Sequence, residues 1–176
     1  SVQLRKGEVS LLFGGRERDF EKWKELFSLF SRNVFYIGPV GSASKMKLVT
    51  NLVLGLNRAA LAEGLVFAEA LGLEKEKAAQ VLVGTMAYSK IMETKAPKMV
   101  NEDFTPEAKL IQHAKDVSLI LESAKCHGVA LPLSEAHLSL LEAAARAGFA
   151  EQDNSAVIKA YEVLKQERKK TSFRRT

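Results

Sequence analysis

The chain has 176 residues, 47% of them hydrophobic and 27% charged, which is enough to bury one good core and argues against a disordered polypeptide. The formal charge of +5 is placed at one end: residues 165–176 hold six of the 26 basic residues and one of the 21 acidic ones, which leaves the body neutral. That placement argues against a nucleic-acid module, whose basic excess belongs on the folded surface, and the lone Cys126 excludes an internal disulfide and points to a reducing compartment.

Glu8–Phe13 is a short apolar run closed by Gly14-Gly15, and Asn33–Ile37 is a second closed by Gly38-Pro39, so both read as strands. Between them Asp19 can cap a helix with Phe20, Trp23, Leu26, Phe27 and Phe30 at helical spacing. Strand, helix, strand cannot close a sheet core alone, so residues 1–40 are expected to be the trailing piece of a larger α/β domain; a two-stranded flap on the helical body is the alternative.

From Ser44 the pattern turns helical. One long helix is expected from Ser44 to about Leu71, with a wide apolar arc and Gly55 and Gly64 inside it. Shorter helices follow over Leu73–Val83 and about Tyr88–Thr94, and Pro97 and Pro106 punctuate the next stretch. A further helix is expected from Pro106 or Glu107 to His127, another from Pro132 to about Ala147, and a last one from Ser155 to about Arg168 with Asn154 as cap. Residues 41–168 thus read as an all-α domain and 169–176 as a disordered basic tail. No stretch approaches the ~20 uncharged apolar residues that span a bilayer, and Ser1–Lys6 does not read as a signal peptide; a cytoplasmic protein is expected, with an organellar matrix also fitting.

The candidate chemistry begins where Gly38-Pro39-Val40-Gly41 turns into the long helix. Lys47 and Asn51 are four apart, so their side chains are neighbours on one face, a cation beside a neutral amide. A lysine near a helix N-terminus meets an unfavourable macrodipole, and partial burial would further suit it to acid/base work; on spacing alone a solvated lysine is the commoner case. Lys115-Asp116 lies at the edge of an apolar stripe with the two side chains facing apart, which on spacing alone is a charged helix edge. His113, His127 and His137 are scattered without zinc-ligand spacing and read as ordinary surface or core histidines, so no metal is expected.

The order of these parts resembles the β-hydroxyacid dehydrogenases, which include 3-hydroxyisobutyrate dehydrogenase and tartronate semialdehyde reductase. The likeness rests on Gly38-Pro39-Val40-Gly41, Lys47-x-x-x-Asn51, Ala62-Glu63-Gly64 with Ala68 and Gly72, Phe104, Lys115-Asp116-Val117, Leu131-Pro132-Leu133 and Asn154-Ser155-Ala156-Val157. It covers nearly the whole chain apart from the basic tail. The resemblance implies a Rossmann remnant followed by an all-α domain like the C-terminal domain of 6-phosphogluconate dehydrogenase. It implies NAD or NADP as cofactor, a small hydroxy acid as substrate and a homodimer or higher homo-oligomer. Lys47 would be the catalytic acid/base at the substrate oxygen, Asn51 would hold the substrate, and Lys115 would lie on the helical side of the cofactor cleft.

The chain departs from the family in two places. It has no Gly-x-Gly-x-x-Gly, since Gly14-Gly15 lacks the spacing, and the family's serine-glycine substrate loop would fall before Ser1. It is therefore expected to be the C-terminal part of a longer enzyme and inactive alone. The alternative is a helical dimerisation or interaction module derived from the same family.

Overall fold

The computed structural model describes residues 9–173, with side chains through residue 167. The chain divides into two compact units, Ser1–Asn51 and Leu52–Thr176, with the division falling inside the long helix rather than at residue 41.

In the first unit, β1 (Ser10–Gly14), α1 (Glu17–Ser28) and β2 (Asn33–Gly38) follow one another. The strands pair in parallel, Ser10 against Asn33 through Phe13 against Tyr36, with an irregularity that sets Gly14 against Gly38. Parallel neighbours need a crossover, and α1 supplies it. Phe13, Phe20, Phe27 and Tyr36 fill the space between helix and strands, with ring centroids 5.3–6.4 Å apart. Trp23, Leu26 and Phe30, expected on the same apolar face, are instead exposed. Asp19 is not the cap of α1: the helix begins at Glu17 after Arg16, and the Asp19 carboxylate accepts a hydrogen bond from Arg16 Nε at 2.7 Å. Glu17 and Asp19 thus sit in the first turn, where negative charge suits the helix dipole.

Helix α2 runs Ser42–Ala70, 29 residues. Gly41 ahead of it has φ +93°, a left-handed turn that glycine adopts without strain and that lets β2 pass directly into the helix. By length and composition α2 is the one helix among the described residues long and apolar enough to cross a membrane. Its buried face, which includes Leu61, Ala62 and Leu65, forms part of the second unit's core.

The second unit continues with α3 (Lys75–Val83), α4 (Ile91–Val100), α5 (Leu110–Cys126) and α6 (Pro132–Ala144). A wide turn at Ala145–Phe149, a 3₁₀ segment at Asn154–Lys159 and α7 (Ala160–Phe173) complete it. Leu61, Leu65, Met99, Leu110, Val117, Leu141 and Val157 are almost fully buried and form the centre of the core.

Several boundaries shift by two or three residues from those read from sequence, α4 beginning at Ile91 rather than Tyr88 and α6 ending at Ala144 rather than Ala147, and three differences have a clear physical cause. Helix α4 runs through Pro97, because Met92, Lys95, Ala96 and Met99 are buried at helical spacing and their packing offsets the hydrogen bond that proline cannot donate. Helix α5 starts at Leu110 rather than near Pro106, because the preceding amides are already committed: Glu107 and Ala108 donate to the Asp153 carboxylate at 3.0 and 3.4 Å, and Leu110 to the Gln152 carbonyl at 2.8 Å. At the last helix the cap is Asp153, whose Oδ1 accepts from the Ser155 amide at 3.0 Å, and a 3₁₀ turn precedes α7. α7 continues to Phe173, past the expected end at Arg168; of the expected disordered tail, residues 174–176 lie outside the described residues.

Candidate functional site

Lys47 and Asn51 stand one turn apart near the N-terminal end of α2, on the face that the four-residue spacing dictates. Lys47 is exposed rather than partly buried, and Asn51 is half-buried. Neither side chain hydrogen-bonds or pairs with a described residue. Lys95, Lys98, Lys109 and Lys159, by contrast, are committed to carboxylates. An untethered ammonium beside an untethered amide can meet an oxygen-bearing ligand without first breaking an ion pair.

Lys115 belongs to the second unit, on α5, and is exposed, also without a hydrogen bond or ion pair to a described residue. The structure therefore brings Lys47 and Asn51 together on one helix and carries Lys115 on another, in the other unit.

Gly14 and Gly15 do not fit the task of holding a dinucleotide's phosphates. A Cβ on Gly14 would lie 2.9 Å from the Ala43 backbone nitrogen, and one on Gly15 would lie 3.0 Å from the Phe13 ring. Both positions are filled by the chain itself, so these glycines serve close packing and not a pyrophosphate. Among the described residues no group of three or more His, Cys, Asp or Glu could hold a metal ion.

Sequence reading missed the most perturbed cluster in the molecule. Arg58 on α2, His113 on α5 and His137 on α6 are buried, at 3%, 8% and 2% exposure, and the two imidazoles lie 5.1 Å apart between centroids. Both rings press on the backbone of α2 at Gly55: a Cβ there would meet His113 Nε2 and His137 Cε1, each at 2.8 Å. Burial, then the Arg58 charge, then His137 push His113 down to about 3. Burial and Arg58 push His137 down to about 4, so both rings are neutral near pH 7. Burial also lowers Arg58 to about 10, against the opposing pull of Asp153. The periodicity Leu110, His113, Val117 and Ser134, His137, Leu141 could have placed both histidines on buried stripes, but nothing in the sequence shows that they share one place.

Residues 41–161 match the family described as NAD-binding of NADP-dependent 3-hydroxyisobutyrate dehydrogenase, more than half of the chain. The chain belongs to this family. Its members use a nicotinamide dinucleotide, and the matched span includes Lys47, Asn51 and Lys115. Over 163 residues the chain is 32% identical to 2-hydroxy-3-oxopropionate reductase of Escherichia coli, covering 93% of this chain and 56% of that protein. It is 34% identical over 155 residues to the cytokine-like nuclear factor N-PAC of Aedes aegypti, covering 88% of this chain and 28% of that protein. Among solved structures, 3-hydroxyisobutyrate dehydrogenase from Salmonella typhimurium superposes with a TM-score of 0.83 at 29% identity, covering 90% of this chain and 56% of that one. The chain thus spans about half the length of the dehydrogenases it matches.

Proposed function

We propose that this chain supplies the substrate-handling and self-associating part of an NAD(P)-dependent oxidoreductase acting on small β-hydroxy acids. The observation that carries the proposal is the untethered Lys47–Asn51 pair at the start of α2, within the span matched by the dehydrogenase family. In this reading β1, α1 and β2 are the end of a Rossmann domain, and the helices that follow form an all-α domain of the kind found at the C-terminus of 6-phosphogluconate dehydrogenase.

Lys47 works as the acid/base at the substrate's hydroxyl or carbonyl oxygen. As the free amine it accepts the hydroxyl proton during oxidation, and as the ammonium it returns that proton during reduction. Its exposed position leaves room for a ligand to approach. Asn51, one turn along, donates from its amide to a substrate oxygen and adds no charge, so it orients the substrate without competing for the proton. Lys115 offers a cation toward the cofactor. The cofactor's pyrophosphate is not held by Gly14-Gly15, so the proposal assigns that grip to sequence beyond these residues, as the greater length of the matched dehydrogenases allows.

The test is hydride transfer to NAD and NADP by the polypeptide as its gene encodes it, across a panel of small β-hydroxy acids, with Lys47→Ala and Asn51→Ala alongside. Lys47→Ala should cost about 10²–10⁴-fold in kcat, and Asn51→Ala should act mainly on KM. A Lys47→Ala enzyme with unchanged kcat refutes the assignment.

A second reading, a helical interaction module without catalysis, is kept because one relative is described as a nuclear factor and not as a dehydrogenase. Both readings share self-association through α2, which exposes Val49, Val53, Leu54 and Phe67 along its length. Sedimentation at high concentration should show a dimer or larger assembly in either case. Absence of turnover by a well-folded, associating wild-type protein on the whole panel would select the second reading.

A further inference from the structure

We propose that Arg58, His113 and His137 form a buried binding site for a small monovalent anion of the halide class, closed over by α2, α5 and α6. Four buried nitrogens in this cluster have no hydrogen-bond partner among the described residues: Arg58 Nε and Nη1, His113 Nε2 and His137 Nε2. Two of them are N–H donors on a guanidinium that cannot accept, and each histidine can carry its proton on Nε2, which makes all four donors. In that tautomer the cluster lacks an acceptor: a water molecule accepts two hydrogen bonds and leaves two donors unmet, whereas a halide accepts all four. With the protons on Nδ1 instead, one water accepts from Arg58 and donates to both imidazoles, so it is charge that separates the two occupants.

Charge selects the halide. With neutral imidazoles the cluster carries the single positive charge of Arg58, which a monovalent anion balances. Asp153, the carboxylate whose charge acts on Arg58, cannot serve as hydrogen-bond partner. Its oxygens are taken by Lys95, Ser155, Glu107 and Ala108. The enclosure sets the size. All four nitrogens are shielded from solvent, which leaves no open approach for a bulky carboxylate or phosphate ester. The missing side chain of Gly55 is what lets the two imidazoles turn their edges together at the helix surface.

Bromide is the probe, because its anomalous scattering distinguishes it from water. Crystals of the chain grown in bromide should show an anomalous peak within hydrogen-bond distance of Arg58 Nε and at least one histidine Nε2. Ordered water there, or bromide at the protein surface only, overturns the proposal. In solution, replacing gluconate by bromide at constant ionic strength should raise the melting temperature by a few degrees, as expected for a ligand that binds the folded state alone. His113→Gln retains an amide donor at that position and should keep part of the rise, whereas Arg58→Met should abolish it. An equal rise in wild type and Arg58→Met would also refute the site.

Discussion

Asp153 is fully buried and is the most heavily used acceptor in the second unit, so its removal tests the fold reasoning directly. Both oxygens accept from Lys95 Nζ at 3.0 Å, Oδ1 also accepts from the Ser155 amide at 3.0 Å and hydroxyl at 2.7 Å, and Oδ2 from the Glu107 and Ala108 amides at 3.0 and 3.4 Å. Asp153→Ala leaves the Lys95 ammonium, itself only 5% exposed, without its buried counter-charge and frees three backbone donors. Breaking a buried pair costs about 3–5 kcal/mol. The exposed Glu107 carboxylate, 3.0 Å from the same ammonium, keeps the figure near the lower end, and the freed amides push it back up. We expect about 4 kcal/mol, which for a chain of this size lowers the melting temperature by roughly 10 °C. Thermal and urea melts measure it. Lys95→Met combined with Asp153→Ala should be less destabilised than the two single changes summed, because the double variant strands no ammonium. Loop hydrogen bonds would still be lost, so wild-type stability is not recovered. A loss under about 1 kcal/mol for Asp153→Ala, or strict additivity in the double variant, would refute the account.

The buried histidines set the acid limit of stability. Both pKa values are lowered from 6.5 in the fold, so the unfolded chain binds the extra protons, and stability is full above about pH 6.5 and lost progressively toward pH 4. Two protons give a slope approaching about 2.7 kcal/mol per pH unit, or about 3 kcal/mol between pH 6.5 and 5, measurable by urea melts in gluconate buffer; a flat profile there would contradict the burial of both rings. Asp153 contributes nothing to that slope. Its hydrogen bonds outweigh the opposing effect of burial and hold it below 3.8, so its contribution is constant above that pH and falls away only in stronger acid. Gly55→Ala should destabilise by about 1–3 kcal/mol, since the new methyl meets two packed rings at 2.8 Å. Gly64→Ala in the same helix, whose nearest neighbour is Leu82 Cδ1 at 3.9 Å, should stabilise by about 0.5–1 kcal/mol, and reversal of this order in thermal melts would contradict the packing described at Gly55.

What could be read from sequence was what local periodicity encodes, and what could not was what distant residues decide together. The strand, helix and strand of residues 10–38 and the long α2 follow from alternation, helical spacing and glycine stops within a dozen residues. Lys47 and Asn51 were legible for the same reason, as two residues on one helix face. The start of α5 was misplaced because Glu107 and Ala108 look like a helix start until Asp153, more than forty residues later, claims their amides. Pro97 looked like a stop until the burial of Met92, Ala96 and Met99 outweighed it.

The Arg58–His113–His137 cluster is the extreme case, since three helices separated by loops must close before its members meet. Each residue alone reads as unremarkable: an arginine on an amphipathic helix and two histidines with no ligand spacing. Only the absence of a side chain at Gly55 hints that something packs there, and a glycine inside a helix can equally mark close helix approach. The same long-range closure that hid the cluster makes it sensitive to the fold as a whole. Any change that shifts α5 or α6 against α2 moves a histidine edge away from Arg58, and the buried donors then lose whatever acceptor they share. The acid slope and the anion dependence of stability should therefore be lost together in variants that loosen this helix packing, such as Gly55→Ala. If Gly55→Ala kept a wild-type bromide response, the two imidazoles and the guanidinium would not be acting as one site.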